Sequence, residues 1–323
     1  MSQSGEQQIQ ETAAALVAAG VRPQEARIVA ECFVTADLFG VSTHGTAILP
    51  AHIERIIRGG YNLHPEFRVL RQGGAFAVID ADNAMGPVSA VHCMEIAMAH
   101  TAEAGVYTVL CRNANTYGPA FYYPLLAAQR GLIGITFSNS PAAMPPVGGK
   151  DKLLGTNPFA VVIPCLNEKP VILDMATSVV AKSKINELRK KGEKIPEGWA
   201  LDADGNPTTD PEEAIKGLVL PMAGFKGYGI AMLLDVLSGV LAGAATLDAV
   251  GRFYSAENKC MNVGQTFIAI DPRQIAGEAF YLQMDEYVRK IRNSRPMRDG
   301  LPVPLPGDDR WQFYNQQTKA GSR

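Results

Sequence analysis

The sequence predicts an α+β protein, in which a helical N-terminal unit precedes a region of mixed strands and helices. Two observations support this class. Apolar residues recur at helical spacing in the first part of the chain, whereas short runs rich in β-forming residues begin near residue 75. The later strands and helices do not alternate regularly, as they would in a doubly wound sheet. A chain of 323 residues is also long enough for about two domains.

The N-terminal part is predicted to be helical. Two helices are expected within residues 8–36, because Gly20 ends the first apolar pattern and Pro23 suits the first turn of the second helix. A third helix is predicted over residues 44–58. Pro50 lies inside it and predicts either a kink or a later start.

The rest of the chain is predicted to mix strands with helices. Strands are expected at residues 75–80, 106–111, 132–137, 161–164, 170–174 and 266–270. Helices are expected at residues 87–104, 120–130 and 278–293, with an apolar helix from Gly229. We therefore divide the chain into a helical unit of residues 1–70, which C-terminal helices within 278–323 join, and a mixed α/β region of residues 71–277.

Composition excludes several classes of function. The net charge of −2 points neither to nucleic acid nor to an anionic membrane surface. Residues 227–246 are nearly all apolar, but Asp235 near their centre favours a buried core helix over a membrane span. The polar N-terminus lacks the apolar core of a signal peptide, so we expect a cytoplasmic protein. Five widely spaced cysteines without a C-x-x-C motif predict reduced thiols, no disulfide framework and no metal site.

Familiar nucleotide-binding signatures are missing from the sequence. No G-x-G-x-x-G follows a strand, and there is no Walker motif. The glycine-rich segment from Gly224 to Gly229 opens the apolar helix and contains Lys226. Its backbone N–H groups could hold a phosphate, although a tight turn that needs glycine explains the segment about as well.

The segment Ser42-Thr43-His44-Gly45 contains the first candidate for proton transfer. Histidine exchanges protons near neutral pH, and His44 opens the predicted third helix. If that helix is continuous, His44, Ile48 and His52 share one face. The alternative is a hydrogen-bonded histidine at the start of a helix, without a chemical role.

Small polar residues also follow several predicted strands. The segments are Ser138-Asn139-Ser140, Gly155-Thr156-Asn157-Pro158 and Asp174-Met175-Ala176-Thr177-Ser178. Turn formation explains any one of them. Their number indicates a ligand site, because such sites often use strand ends.

Together these segments resemble the malate/L-lactate/sulfolactate dehydrogenase family, which does not use a Rossmann domain. That family includes ureidoglycolate dehydrogenase, diketogulonate reductase and cyclic ketimine reductases. The matching segments are Ser42-Thr43-His44-Gly45, Arg112-Asn113-Ala114-Asn115, Asn139-Ser140-Pro141, Leu154-Gly155-Thr156-Asn157-Pro158, Asp174-Met175-Ala176-Thr177-Ser178, Pro207-Thr208-Thr209-Asp210-Pro211 and Lys226-Gly227-Tyr228-Gly229. They run in the family's order over roughly residues 10–310.

The resemblance implies a family-specific nicotinamide-binding fold with a largely antiparallel sheet, in a homodimer. It also implies hydride transfer between NAD or NADP and a small 2-hydroxy or 2-oxo acid. Residues 71–277 would bind the cofactor and the substrate. The residues that would line the cofactor are Ser140, Asp174, Met175, Ala176, Lys226 and Gly227, and His44 would lie between it and the substrate.

Two positions depart from the family pattern. Thr116 replaces a histidine that the family often has near the reacting groups, and a hydroxyl is a poor base near pH 7. Ile48 replaces an arginine that could pair with a substrate carboxylate. We hypothesise that His44 is the acid/base with Thr116 beside it, and that His52 partly replaces the missing cation. Ser42, Ile48 and His52 are then the expected substrate-binding residues.

Two alternatives remain open at this point. One is a reductase of cyclic ketimines, and the other is a diverged nucleotide-binding protein with little activity, which Thr116 and Ile48 would explain. Substrate panels separate the first alternative from a 2-oxo acid reductase. The choice between NAD and NADP also stays open, because it depends on groups around the ribose 2′ position.

Overall fold

The computed structural model describes residues 3–255, 260–298 and 300–320. Its helices are α1 (Gln3–Ala18), α2 (Pro23–Leu38), α3 (Leu49–Ile57), α4 (Gly86–Ala104), α5 (Tyr122–Ala128), α6 (Lys182–Lys191), α7 (Pro211–Lys216), α8 (Phe225–Asp235), α9 (Pro272–Ala276), α10 (Ala279–Arg292) and α11 (Asp308–Ala320). Its strands are β1 (Arg68–Gly73), β2 (Phe76–Asp80), β3 (Val106–Ala114), β4 (Ile133–Ser138), β5 (Phe159–Ile163), β6 (Val171–Met175), β7 (Ala200–Leu201), β8 (Pro207–Thr208), β9 (Leu218–Val219) and β10 (Val263–Ile270).

One large sheet organises the described residues. Its strands lie in the order β1-β2-β3-β10-β4-β5-β6, and a small second sheet has the order β8-β7-β9. The pair β2–β3 is parallel and joined through α4, whereas the other neighbours in the large sheet are antiparallel. The predicted α+β class with a largely antiparallel sheet is therefore confirmed.

The apolar patterns of the sequence build one buried cluster on this sheet. Phe33 of α2, Met94 of α4 and Phe267 of β10 are fully buried members of it. Strand β10 runs between β3 and β4, where both of its faces are covered, and six of its eight residues are buried. Because side chains of α2 belong to the same cluster as the sheet, the division at residue 70 stays a proposal rather than a visible boundary.

The predicted helix over residues 44–58 is wrong in its first part. Residues 42–44 and 46–48 form two separate 3-10 turns, and α3 begins only at Leu49, with Pro50 in its first turn. The break lies at Gly45, where a Cβ atom would lie 1.9 Å from the carboxylate of Asp37. That carboxylate accepts hydrogen bonds from the backbone N–H and the hydroxyl of Thr46, at 2.8 and 2.6 Å. This contact with α2 fixes the turn that contains His44.

The apolar segment around Asp235 forms α8 and a π-helical turn, Val236–Val240. The buried carboxylate of Asp235 accepts hydrogen bonds from the Asn139 side chain at 2.8 Å and from the Leu247 N–H at 3.1 Å. Asn139 in turn accepts a hydrogen bond from the Gly264 N–H. Asp235 therefore anchors the segment that follows β4, and among the described residues no helix is long and apolar enough to cross a membrane.

Candidate active site

Two adjoining cavities open where the segments after β4 and β6 meet the turn that contains His44. The first cavity has a volume of about 620 Å³ and the second of about 820 Å³. Both volumes fall in the range of small-molecule sites. The residues that line both cavities are Thr43, His44, Thr116, Pro141, Lys182 and Ser183. His44 and Thr116 therefore lie at the junction between the two spaces.

The first cavity is lined by the polar strand ends that the sequence singled out. Ser140 follows β4, and Asp174, Met175 and Ala176 lie at the end of β6. Ser140 is fixed by buried Asn157, whose side-chain oxygen accepts a hydrogen bond from the Ser140 N–H at 3.0 Å. The structure thus brings together four of the predicted cofactor residues.

His44 is exposed and lines both cavities, but nearby protein atoms partly desolvate its ring. This desolvation, and then the positive charge of Arg310, lower the pKa of His44 from its ordinary value. The imidazole is therefore neutral at pH 7, and it can accept a proton from a bound hydroxyl group.

Thr116 lines the same two cavities as His44, and a close approach between two backbone segments fixes its position. A Cβ atom on Gly86, at the start of α4, would lie 1.9 Å from the carbonyl oxygen of Thr116, so only glycine fits there. The preceding residue, Asn115, donates a hydrogen bond to the Ala84 carbonyl at 2.8 Å, and its own carbonyl accepts one from Gln265. Thr116 is consequently part of a rigid wall.

An ion pair between Asp174 and Arg310 forms one side of the first cavity. Arg310 comes from α11, and its guanidinium donates to the Asp174 carboxylate at 3.0 Å while its Cζ lies 5.1 Å from the centre of the Phe121 ring. Burial raises the pKa of Asp174 to about 6, although Arg310 opposes the shift. Arg310 was not among the predicted site residues, because no motif marks it within the range 278–323, where C-terminal helices were expected.

The second cavity has a different lining. Ile48, His52 and Phe253 contribute to its apolar side, and Lys152 and Arg252 to its charged side. The hypothesis that His52 supplies a positive charge is wrong. His52 is buried, shares a 2.8 Å hydrogen bond with the Tyr61 hydroxyl, and has its pKa lowered to about 3 by burial and by Arg55. His52 is therefore a neutral wall residue.

Three predicted residues lie outside the cavity walls. Ser42 is exposed at the start of its 3-10 turn, and Lys226 is exposed in the first turn of α8. Gly227 packs behind Met222, where a Cβ atom would lie 2.3 Å from the Met222 carbonyl oxygen, and Met222 lines the first cavity. Gly227 thus supports the wall without forming it, and direct roles for these three residues stay predictions.

Comparison with known proteins gives one consistent result. A family model described as malate/L-lactate dehydrogenase matches residues 4–323. The malate dehydrogenase of Pyrococcus horikoshii is 41% identical over 94% of this chain and 85% of that protein. The NAD(+)-dependent ureidoglycolate dehydrogenase of Escherichia coli K12 is 37% identical over 91% of this chain and 84% of that enzyme. The sulfolactate dehydrogenase structure from Methanocaldococcus jannaschii has a TM-score of 0.90 at 39% identity, covering 97% of this chain and 90% of that chain.

Removing Arg310 tests the ion pair at this wall. Breaking a buried ion pair costs about 3–5 kcal/mol. Because Arg310 and Asp174 keep 19% and 11% side-chain exposure, we expect Arg310→Met to lower the free energy of unfolding by about 2 kcal/mol at pH 8. The pKa of Asp174 lies near 6 with Arg310 present and is higher without it, because Arg310 lowers it. At pH 5 the unpaired carboxyl group of the variant is therefore protonated, and the loss of unfolding free energy should be smaller than at pH 8.

Urea denaturation at both pH values measures this difference. Arg295→Met, which removes an exposed arginine, is the control and should change little at either pH. A loss from Arg310→Met that is the same at pH 5 and pH 8 would contradict the assignment of the penalty to Asp174.

Proposed function

Because the chain belongs to the malate/L-lactate dehydrogenase family, we propose that it transfers hydride between a nicotinamide cofactor and a small 2-hydroxy or 2-oxo acid. The observation that carries this proposal is the position of His44 and Thr116 in the walls of both cavities. A cofactor in the first cavity and a substrate in the second would meet at these two side chains.

The lining of the first cavity fits a nicotinamide dinucleotide. Hydroxyl groups of Ser140 and Ser178 suit ribose and amide groups, and Met175 and Val179 offer apolar surface to a ring. The start of α6 lies in the same wall at Ala181, and unpaired N–H groups at a helix start favour phosphate. Bound there, the cofactor would supply or accept the hydride.

His44 is the proposed acid/base. In the oxidation of a 2-hydroxy acid, its neutral imidazole takes the hydroxyl proton as the C2 hydride leaves; in reduction it returns that proton to the new alkoxide oxygen. The lowered pKa keeps His44 ready to accept a proton at pH 7. Thr116 can orient the same oxygen through its hydroxyl group, which neither gains nor loses charge near neutral pH.

The proposal includes either NAD or NADP and a cytoplasmic setting. All five cysteines are free in the structure, and free thiols persist in a reducing compartment. One relative of this chain is named for NAD(+) and another for NADP(+). Both cofactors therefore belong in every assay.

Replacement of His44 tests the chemistry. We expect His44→Ala to lower kcat by about 10²–10⁴-fold while the binding of reduced cofactor, followed by its fluorescence, changes little. His64→Ala, which removes an exposed histidine, is the control and should keep full activity. In the oxidation direction, kcat/KM of the wild type should rise with pH and level off below pH 7, because the pKa of His44 is lowered.

Two outcomes would reject the role of His44. One is a variant whose kcat falls by no more than about tenfold, because the loss of general acid–base catalysis lowers kcat by far more than that. The other is an unchanged acidic limb of the pH profile in His44→Ala, since that limb would then belong to another group.

A homodimer is the proposed assembly. The outer face of α8 and its π-helical turn exposes Phe225, Met232, Leu233, Val236, Leu237, Val240 and Leu241. Asp235 is the single charged residue between positions 227 and 246, and it is buried. An uncharged apolar stripe on one helix suits pairing with its own copy about a two-fold axis.

The double variant Leu233→Glu/Val240→Glu tests this assembly. We expect light scattering after size exclusion to give a dimer for the wild type and a monomer for the variant, because charge on both faces of the interface is repulsive. Leu166→Glu alters an exposed leucine away from the stripe and should stay dimeric. A wild type that is monomeric at micromolar concentration would contradict the proposal.

A further inference from the structure

One side of the second cavity consists of rings and an aliphatic side chain. Ile48 and Phe253 line it, and both also pack against the main buried cluster. The ring of His52 lies 4.8 Å from that of Phe253, measured between centroids. Tyr254 lines the cavity as well, is exposed, and stands edge-on to Phe253 at 4.8 Å. We call these four residues the apolar wall: Ile48, His52, Phe253 and Tyr254.

Contacts within the protein hold the apolar wall in place. His52 shares a 2.8 Å hydrogen bond with the Tyr61 hydroxyl, and the planes of the two rings differ by only 6°. The fully buried ring of Phe33 lies 5.1 Å from that of His52. Because the pKa of His52 is lowered to about 3, the imidazole carries no charge at pH 7. An apolar group can therefore bind here with little cost for ordering the wall.

Positive charge reaches the cavity from other side chains. Among the described residues, Lys182 is the one lysine or arginine that lines both cavities, so it lies at their junction with His44 and Thr116. Arg252 is near enough that its charge, after burial, lowers the pKa of Lys182. A 2-oxo acid carries its carboxylate on the carbon next to the reacting one, and a cation at the junction suits that group. The tail of the substrate then extends into the second cavity.

The second cavity is large for a short acid. Its volume is about 820 Å³, and Pro141 and Ile215 add further apolar surface to its lining. A three-carbon acid held at the junction would leave the apolar wall in contact with water. An apolar tail would displace that water, which is favourable in proportion to the apolar area buried. Size and lining thus favour a longer, apolar tail.

We propose that the apolar wall is the subsite for the substrate's tail, and that it selects 2-oxo and 2-hydroxy acids whose tail is aromatic or branched and aliphatic. This inference rests on the proposed function, which it deepens by naming the substrate class. An aromatic tail gains ring contacts with Phe253 and Tyr254 in addition to the burial of its surface. A charged tail gains neither and would lie beside apolar side chains, where its desolvation is costly.

A series of 2-oxo acids that differ in their tails tests the selection. We expect kcat/KM of the wild type to rise from pyruvate to 4-methyl-2-oxopentanoate and phenylpyruvate, by at least about tenfold in total. Burial of a single methylene group already corresponds to about fourfold. Oxaloacetate, whose tail is charged, should be a poorer substrate than phenylpyruvate. A wild type that prefers oxaloacetate or pyruvate to both apolar substrates would overturn the inference.

Changes in the apolar wall should alter the preference itself. Ile48→Asn makes the wall polar, so we expect the ratio of kcat/KM for phenylpyruvate to that for pyruvate to fall by at least about tenfold, mainly through KM. Phe253→Leu removes one ring but keeps the wall apolar, and it should lower this ratio by a smaller factor. Ile57→Asn alters an exposed isoleucine at the end of α3 and should keep the wild-type ratio. Equal losses for both substrates in the two wall variants, or unchanged ratios, would contradict the role of the wall.

Binding without turnover separates this inference from the proposed function. Calorimetry in the presence of NAD(+) should show that the wild type binds 3-phenylpropanoate at least about tenfold more tightly than propanoate, and that Ile48→Asn loses most of this difference. Selective binding of 3-phenylpropanoate by a protein that reduces no 2-oxo acid would support the subsite and reject the proposed function. Reduction of 2-oxo acids without any preference for apolar tails would do the reverse.

Discussion

The ion pair between Asp174 and Arg310 is the interaction on which the arrangement of the site depends. The pair joins β6, an edge strand of the large sheet, to helix α11. Both residues lie in the cavity wall that contains the predicted cofactor residues. Desolvation, and then the charge of Arg310, lower the pKa of His44, so the guanidinium that stabilises a buried carboxylate also helps to keep the imidazole neutral. One guanidinium group thus contributes both to the packing of α11 and to the protonation state of His44. Trp311 and Tyr314 of the same helix pack on Phe39 and help to hold it in place.

Local patterns predicted much of the fold. Alternating and continuous apolar runs identified β2, β3, β4, β5, β6 and β10, because these strands bury the same side chains that make them recognisable. The helix predicted over residues 44–58 begins only at Leu49, the later start that Pro50 allowed, because Gly45 and the Asp37 carboxylate impose a break that periodicity does not report. Helix α11 lies in the range 278–323 where C-terminal helices were expected, but its bounds were not predicted, because its packing on Phe39 is a contact between distant parts of the chain.

The candidate site was only partly visible in the sequence. Four residues that belong to the family-like segments line one cavity together: Ser140, Asp174, Met175 and Ala176. His52 was predicted to carry a positive charge, but it is buried against the rings of Phe33, Tyr61 and Phe253. Helical spacing alone does not predict such contacts. The basic side chains of the second cavity were not predicted, because residues such as Lys152, Lys182 and Arg252 are far apart in sequence and only the fold brings them to one wall.

The central claim is that hydride passes between a nicotinamide and C2 of an acid at the junction formed by His44 and Thr116. The most direct test uses NADH and NADPH that carry deuterium at both C4 positions, a pool of 2-oxo acids, and ordinary water as the solvent. Mass spectrometry of the products should find a 2-hydroxy acid with one deuterium bound at C2, with none of that position filled from the solvent. Protein that binds the cofactor but yields no labelled hydroxy acid from any member of the pool would contradict the account.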